Sequence, residues 1–159
     1  MHTLTRMRRT MLYGLAVVIA AAGLTGAAHA SAAPRSVCTL KSVDIAPAAV
    51  HGEDFGVLKC PKPFGTGVQH NTGILSPTSA TTGTLKGTAE LFFAKGSVRA
   101  RFSLSYKISG SAIAYGGTAK VVRGTGAFKG ISGSAKLKGA SADGGTHGKM
   151  TLDIRAKLP

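Results

Sequence analysis

Residues 97–108 alternate without a break. Val98, Ala100, Phe102, Leu104, Tyr106 and Ile108 fall on one side, and Ser97, Arg99, Arg101, Ser103, Ser105 and Lys107 on the other. A helix would scatter these side chains around its circumference, whereas a strand sorts them onto two faces. The pattern returns at 148–157, where Met150, Leu152, Ile154 and Ala156 oppose Lys149, Thr151, Asp153, Arg155 and Lys157. It returns again at 131–138, with Ile131, Ala135 and Leu137 against Ser132, Ser134, Lys136 and Lys138. Residues 84–93 alternate less cleanly, because Phe92 shares a side with Glu90. No stretch beyond Val37 has the period of an amphipathic helix.

Glycine-rich breaks separate these runs: Lys95-Gly96, Ser109-Gly110, Gly116-Gly117, Gly124 to Gly130 and Gly139 to Gly145. Each reads as a turn, where a positive φ is often needed. Short strands joined by tight turns form an antiparallel meander, and a meander with one apolar face must cover that face. With no helix to do so, the sheet closes into a barrel or folds into a sandwich, and closure is favoured because it also removes the edges. The predicted fold is therefore all-β, an antiparallel meander closing into a barrel of roughly eight strands. Pro47, Pro61, Pro63 and Pro77 interrupt residues 37–80. One or two strands with long loops are expected there.

The first 30 residues belong to a different class of sequence. Arg6, Arg8 and Arg9 precede an uncharged apolar run over 11–26, and Ala28-His29-Ala30 follows. These are the three parts of a secretory signal peptide. The apolar run is shorter than the ~20 residues needed to span a bilayer as a helix. Cleavage after Ala30 is expected, leaving a flexible lead-in at 31–36 and a barrel domain at 37–159 that is secreted. Losing three arginines and no acid lowers the net charge from +14 to +11.

Two cysteines, Cys38 and Cys60, fit an exported protein with one disulfide that pins the N-terminal segment of the barrel. Closing that loop is worth ~3 kcal/mol on the chain-entropy model. The spacing does not resemble a metal-binding pair, and His51, His70 and His147 form no ligand motif, so no metal or other cofactor is expected. The Gly124–Gly130 loop lacks the Gly-Lys-Ser/Thr ending of a phosphate loop, and no Gly-x-Ser-x-Gly nucleophile elbow occurs. Thirteen cations lie between Lys86 and Lys157, mostly on the polar sides of the strands. They suit an anionic cell-envelope surface. A base-stacking platform would interleave aromatics with them, and only Phe92 does so; specific nucleic-acid recognition is not expected.

The stretch Gly124-Thr125-Gly126-Ala127-Phe128-Lys129-Gly130-Ile131-Ser132-Gly133-Ser134-Ala135 resembles the Gly-Thr-Gly-x-Phe-x-Gly-x-x-Gly segment of the allene oxide cyclase and dirigent barrel superfamily, small secreted bacterial members included. The resemblance runs over about 82–158. It implies an eight-stranded antiparallel barrel with an apolar central cavity, often assembled as a homo-oligomer. It also implies a cyclase-like or dirigent-like role, in which one conformer of a small hydrophobic molecule is held while it cyclises or couples. The family's polar functional residues have no matching local motif in this chain, so none is carried over, and an enzymatic role stays open.

The residues nominate their own candidates. Phe102, Leu104 and Tyr106 face one way on the strongest strand and would contact a small hydrophobic ligand. A buried Tyr106 hydroxyl needs a polar partner and would mark the polar end of a cavity. Glu90 lies mid-strand beside Phe92 and Phe93. On a cavity-lining face it would be a catalytic acid with Tyr106, and on an outer face it would pair with Arg99 or Arg101. Three readings of function follow: a secreted binder of a small hydrophobic ligand, a guide of cyclisation or coupling, and a basic extracellular structural or adhesive protein without a cavity.

Overall fold

A computed structural model describes residues 33–47 and 51–159. The expected signal peptide, 1–30, lies outside the described residues. Eight strands follow in order: β1 (Arg35–Pro47), β2 (His51–Lys59), β3 (Thr66–Pro77), β4 (Thr82–Phe93), β5 (Gly96–Ser109), β6 (Ala112–Gly124), β7 (Ser132–Ser141) and β8 (His147–Lys157). Each pairs antiparallel with the next, and β8 returns to β1 to close the barrel.

The C-terminal strands follow the alternation closely. On β5, Val98, Ala100, Leu104 and Tyr106 are buried, while the intervening arginines and serines are mostly exposed. The apolar side faces the interior and Lys and Arg face outward. This is the reverse of the pattern of a lipid-spanning barrel, whose outer band is apolar.

The N-terminal part is more regular than its prolines suggested. Residues 35–77 contain three long strands. Pro47 and Pro77 sit at strand ends, and Pro61 and Pro63 occupy the turn between β2 and β3, where a missing N–H costs the ladder nothing. β1 begins at Arg35, inside the expected lead-in. Its guanidinium holds Asp153 on β8 with two bonds of 2.7 and 2.8 Å. One of the glycine breaks is not a turn, and another begins before its turn, which spans 142–146. Gly116-Gly117 lies within β6 and Gly139 within β7. At Gly117 an added Cβ would fall 2.8 Å from the Leu104 Cα, so the close approach of β5 and β6 selects glycine there.

One end of the barrel is sealed. Cys38 and Cys60 are joined by a disulfide, and Cys38 and Leu58 are fully buried. Phe64, Phe93 and Phe128 meet at this end with ring centroids 5.4–5.7 Å apart. Phe128 is delivered by a single 3-10 turn, Gly126–Phe128, between β6 and β7. Gly126 (φ 57°) and Gly130 (φ 89°) let the chain reverse on both sides of that turn. The Thr125 hydroxyl accepts from the Ser97 amide at 3.0 Å, and Ala127 N–H donates to the Lys95 carbonyl at 2.9 Å. The segment that carries the family resemblance is thus a plug that drives one aromatic ring into the base.

Candidate ligand cavity

Above the plug the interior is not filled. A cavity of about 460 Å³ runs up the barrel, and most of its wall is apolar. Phe102, Leu104 and Tyr106 all line it, together with Leu85, Leu91, Ile113, Val121 and Met150. Tyr106 pairs in register with Tyr115 on β6, and both rings face the cavity. Space for these rings comes from glycines on neighbouring strands. A methyl on Gly83 would fall 2.5 Å from the Tyr106 hydroxyl oxygen, and one on Gly87 would fall 2.7 Å from the Phe102 ring.

Away from the plug the wall of β1–β3 turns polar. Ser42 and Asp44 on β1, Asp54 on β2, and Gln69 and Asn71 on β3 all line the cavity. Asp44 and Asp54 are directly opposed in register, and Asp54 is opposed in turn to Asn71. Gln69, only 2% exposed, donates its Nε2 to Asp54 Oδ1 at 3.2 Å. Asn71 donates its Nδ2 to both Asp54 oxygens at 3.1 Å. With the amide nitrogen committed to the carboxylate, Asn71 Oδ1 points elsewhere, buried and without a hydrogen-bond partner among the described residues. Burial pushes the Asp54 carboxyl above its usual pKa. The amides of Asn71 and Gln69 pull it back, and the charge of Asp44 pushes it up further. Across the cavity, burial raises the Tyr115 hydroxyl, with Asp44, Asp54 and Asp143 adding to the effect.

Glu90 stands elsewhere. It faces outward between β3 and β5, opposite His70 and Arg99, with its carboxylate 3.6 Å from the Arg99 guanidinium. That is the outer-face alternative, and it separates Glu90 from Tyr106. The acids and amides that do reach the cavity, Asp44, Asp54, Gln69 and Asn71, escape a reading by alternation. On β2 and β3 the apolar residues Phe55, Val57, Val68 and Ile74 face solvent, whereas Asp54, Gln69 and Asn71 face in. One signal could have found the two acids. Cys38 has the parity of Leu40, Ser42 and Asp44, and Cys60 that of Leu58, Gly56 and Asp54. An inward disulfide therefore turns the even positions of both strands inward.

Among the described residues, no group of three or more His, Cys, Asp or Glu is placed to hold a metal ion. No family model, curated protein or solved structure matches the chain.

Proposed function

We propose that this barrel binds a small hydrophobic molecule in its central cavity. The observation that carries this reading is the cavity itself. Its volume lies within the usual ~300–1,000 Å³ of small-molecule sites, and its wall is largely apolar with a few convergent polar groups at one level. Folding a chain of this size around unfilled apolar space forgoes packing contacts, and an occupant restores them. Phe102, Leu104 and Tyr106 would contact the apolar body of the ligand. A neutral apolar fluorophore should bind with micromolar or better affinity. Leu104→Trp, which fills the cavity from mid-strand, should abolish that binding while leaving a folded, cooperatively melting protein. Absence of probe binding to the unmodified protein sinks the reading.

A second reading, a cyclase-like or dirigent-like guide of such a molecule, is favoured by one specific observation. Asp54, a carboxyl that burial makes harder to ionise, shares the cavity with Tyr106 and Tyr115. It is the better placed acid for such a role, since Glu90 lies on the outside. The basic outer strands suit contact with an anionic cell-envelope surface after secretion, an association that added salt should weaken steeply.

A further inference from the structure

Charge is divided unevenly around the barrel. Strands β1 to β4 carry four Lys and Arg residues and four acids. Strands β5 to β8 carry ten Lys and Arg, all exposed: three on β5, two on β6, two on β7 and three on β8. Against these stands one acid, Asp153, which Arg35 already holds. In two places on this wall cations are directly opposed in register, Arg99 to Arg123 and Arg101 to Lys120. Like charges so placed destabilise a sheet. Glu90 relieves the first pair through Arg99, at 3.6 Å. The second pair is flanked in register by Thr88 and Ser134, which have no charge to offer. Ser103, Thr118 and Ser134 line the same shallow depression as Arg101 and Lys120. All five of these side chains can donate hydrogen bonds, and none is an acid.

We propose that the outer wall of β5 to β8 binds a flexible polymer of phosphodiester-linked polyols, with Arg101, Lys120 and the hydroxyls of Ser103, Thr118 and Ser134 forming the seat of one phosphate. This rests on the reading that the basic strands meet an anionic surface, and it names the face and the anion. A phosphodiester accepts charge-assisted bonds from a guanidinium and an ammonium and further bonds from hydroxyls. Alternate residues of a strand lie about 6.6 Å apart on one side, so Lys136 and Lys138 on β7 offer contacts to the next charges of an extended chain. The wall is convex, and a flexible chain can follow it across four strands where a flat surface cannot. A lipid surface would also want apolar anchors among the cations, but the exposed Phe55, Val57, Val68 and Phe92 stand on β2 to β4. Single-stranded nucleic acid would want a stacking platform, and the aromatics of β5 to β8, Phe102, Tyr106 and Tyr115, all line the interior cavity.

The test titrates the disulfide-bonded protein into end-labelled poly(glycerol phosphate) at low salt and follows fluorescence anisotropy. Polygalacturonate, a single-stranded DNA of equal charge and phosphatidylglycerol vesicles serve as the comparison anions. Poly(glycerol phosphate) should bind about fivefold or more tightly than polygalacturonate, and at least as tightly as the DNA or the vesicles. Arg101→Gln with Lys120→Gln should weaken that binding about tenfold and reduce the slope of log affinity against log salt by about 1.4. Lys59→Gln with Lys62→Gln removes the same net charge from the other half of the barrel and should cost less than about twofold. The Arg101 and Lys120 variant should melt no lower than the parent, since it removes an opposed pair of like charges. A clear fall in Tm means that the chain itself satisfies the pair, and it overturns the seat. Equal losses in the two double variants overturn the assignment to this face. Tighter binding to DNA or to vesicles assigns the wall to those partners and overturns the polymer. Polygalacturonate matching poly(glycerol phosphate) overturns the phosphate and leaves the anionic-surface reading standing. Failure of every anion to bind at low salt removes that reading as well.

Discussion

The two ends of this barrel are built on opposite principles. At the base, a disulfide, a triangle of phenylalanines and a run of buried residues pack closely on one another. Toward the other end, Leu75, Ile108, Ile113 and Tyr115 are only part-buried, and the wall carries opposed acids and an unpaired amide oxygen. The difference separates what holds the chain together from what it can offer another molecule. Stability concentrates where packing is complete. Binding capacity is kept where packing and polar pairing are left unfinished.

The sharpest way to break this contrast is at the plug. Phe128→Ala removes a ring that is 2% exposed and touches two others. It should cost ~3–5 kcal/mol, enough to leave much of the protein unfolded at 37 °C, as read by denaturant melts. If the loss is below about 1 kcal/mol, the base is not the stabilising end. Replacing both Cys38 and Cys60 by Ser should cost ~2–4 kcal/mol, with the melt still cooperative. Probe affinity should change less than stability, because both cysteines lie at the sealed end.

The polar end should respond with the other sign. Folding favours the protonated form of Asp54, since burial raises its pKa above the ordinary 3.8. That preference costs nothing below the ordinary value and becomes a growing penalty as pH rises through the raised one. Asp54→Asn should therefore stabilise the empty protein at neutral pH by roughly 1 kcal/mol, or about 3–5 °C in Tm. The gain should shrink as pH falls toward the ordinary value. A variant less stable than the parent at pH 7 would contradict the picture of an unfinished wall.

The smallest effect is expected at the turn closing β7 to β8. Asp143 is held down to about 2 by the His147 amide and imidazole and by the Ser141 hydroxyl. Stability from these bonds is present above the ordinary value of 3.8 and fades as pH falls toward 2. Because the group is exposed, its titration is best followed directly, as a carboxyl carbon shift by NMR, with little accompanying change in Tm.

How much of this was legible in the chain differs between the two ends. The strands of the second half announce themselves, since Val98 to Ile108 and Met150 to Ala156 bury their apolar side in one shared core. The plug was visible as a motif, though not as a plug, because the path of Phe128 depends on Gly126 and Gly130 and on the contacts of Gly126 and Ala127 with the β4–β5 turn. The polar wall was not legible from alternation. Hydrophobic periodicity assumes that apolar residues face in, and β2 and β3 break the assumption. Phe55 stacks on His70 on the outside at 4.4 Å while Asp54 and Asn71 face the cavity. Glu90 drew attention for its aromatic neighbours, yet in a strand the adjacent residue points to the opposite face, so Phe93 lines the cavity while Glu90 does not. The sheet alternates by position and is indifferent to chemistry.

Because β8 closes against β1, Arg35 lies beside Arg155, and the first and last strands both have their free ends at the plugged pole. Any tag, label or surface tether attached through either terminus of the barrel therefore trails from the stoppered side. A molecule immobilised that way carries the polar end of its cavity on the side away from the support.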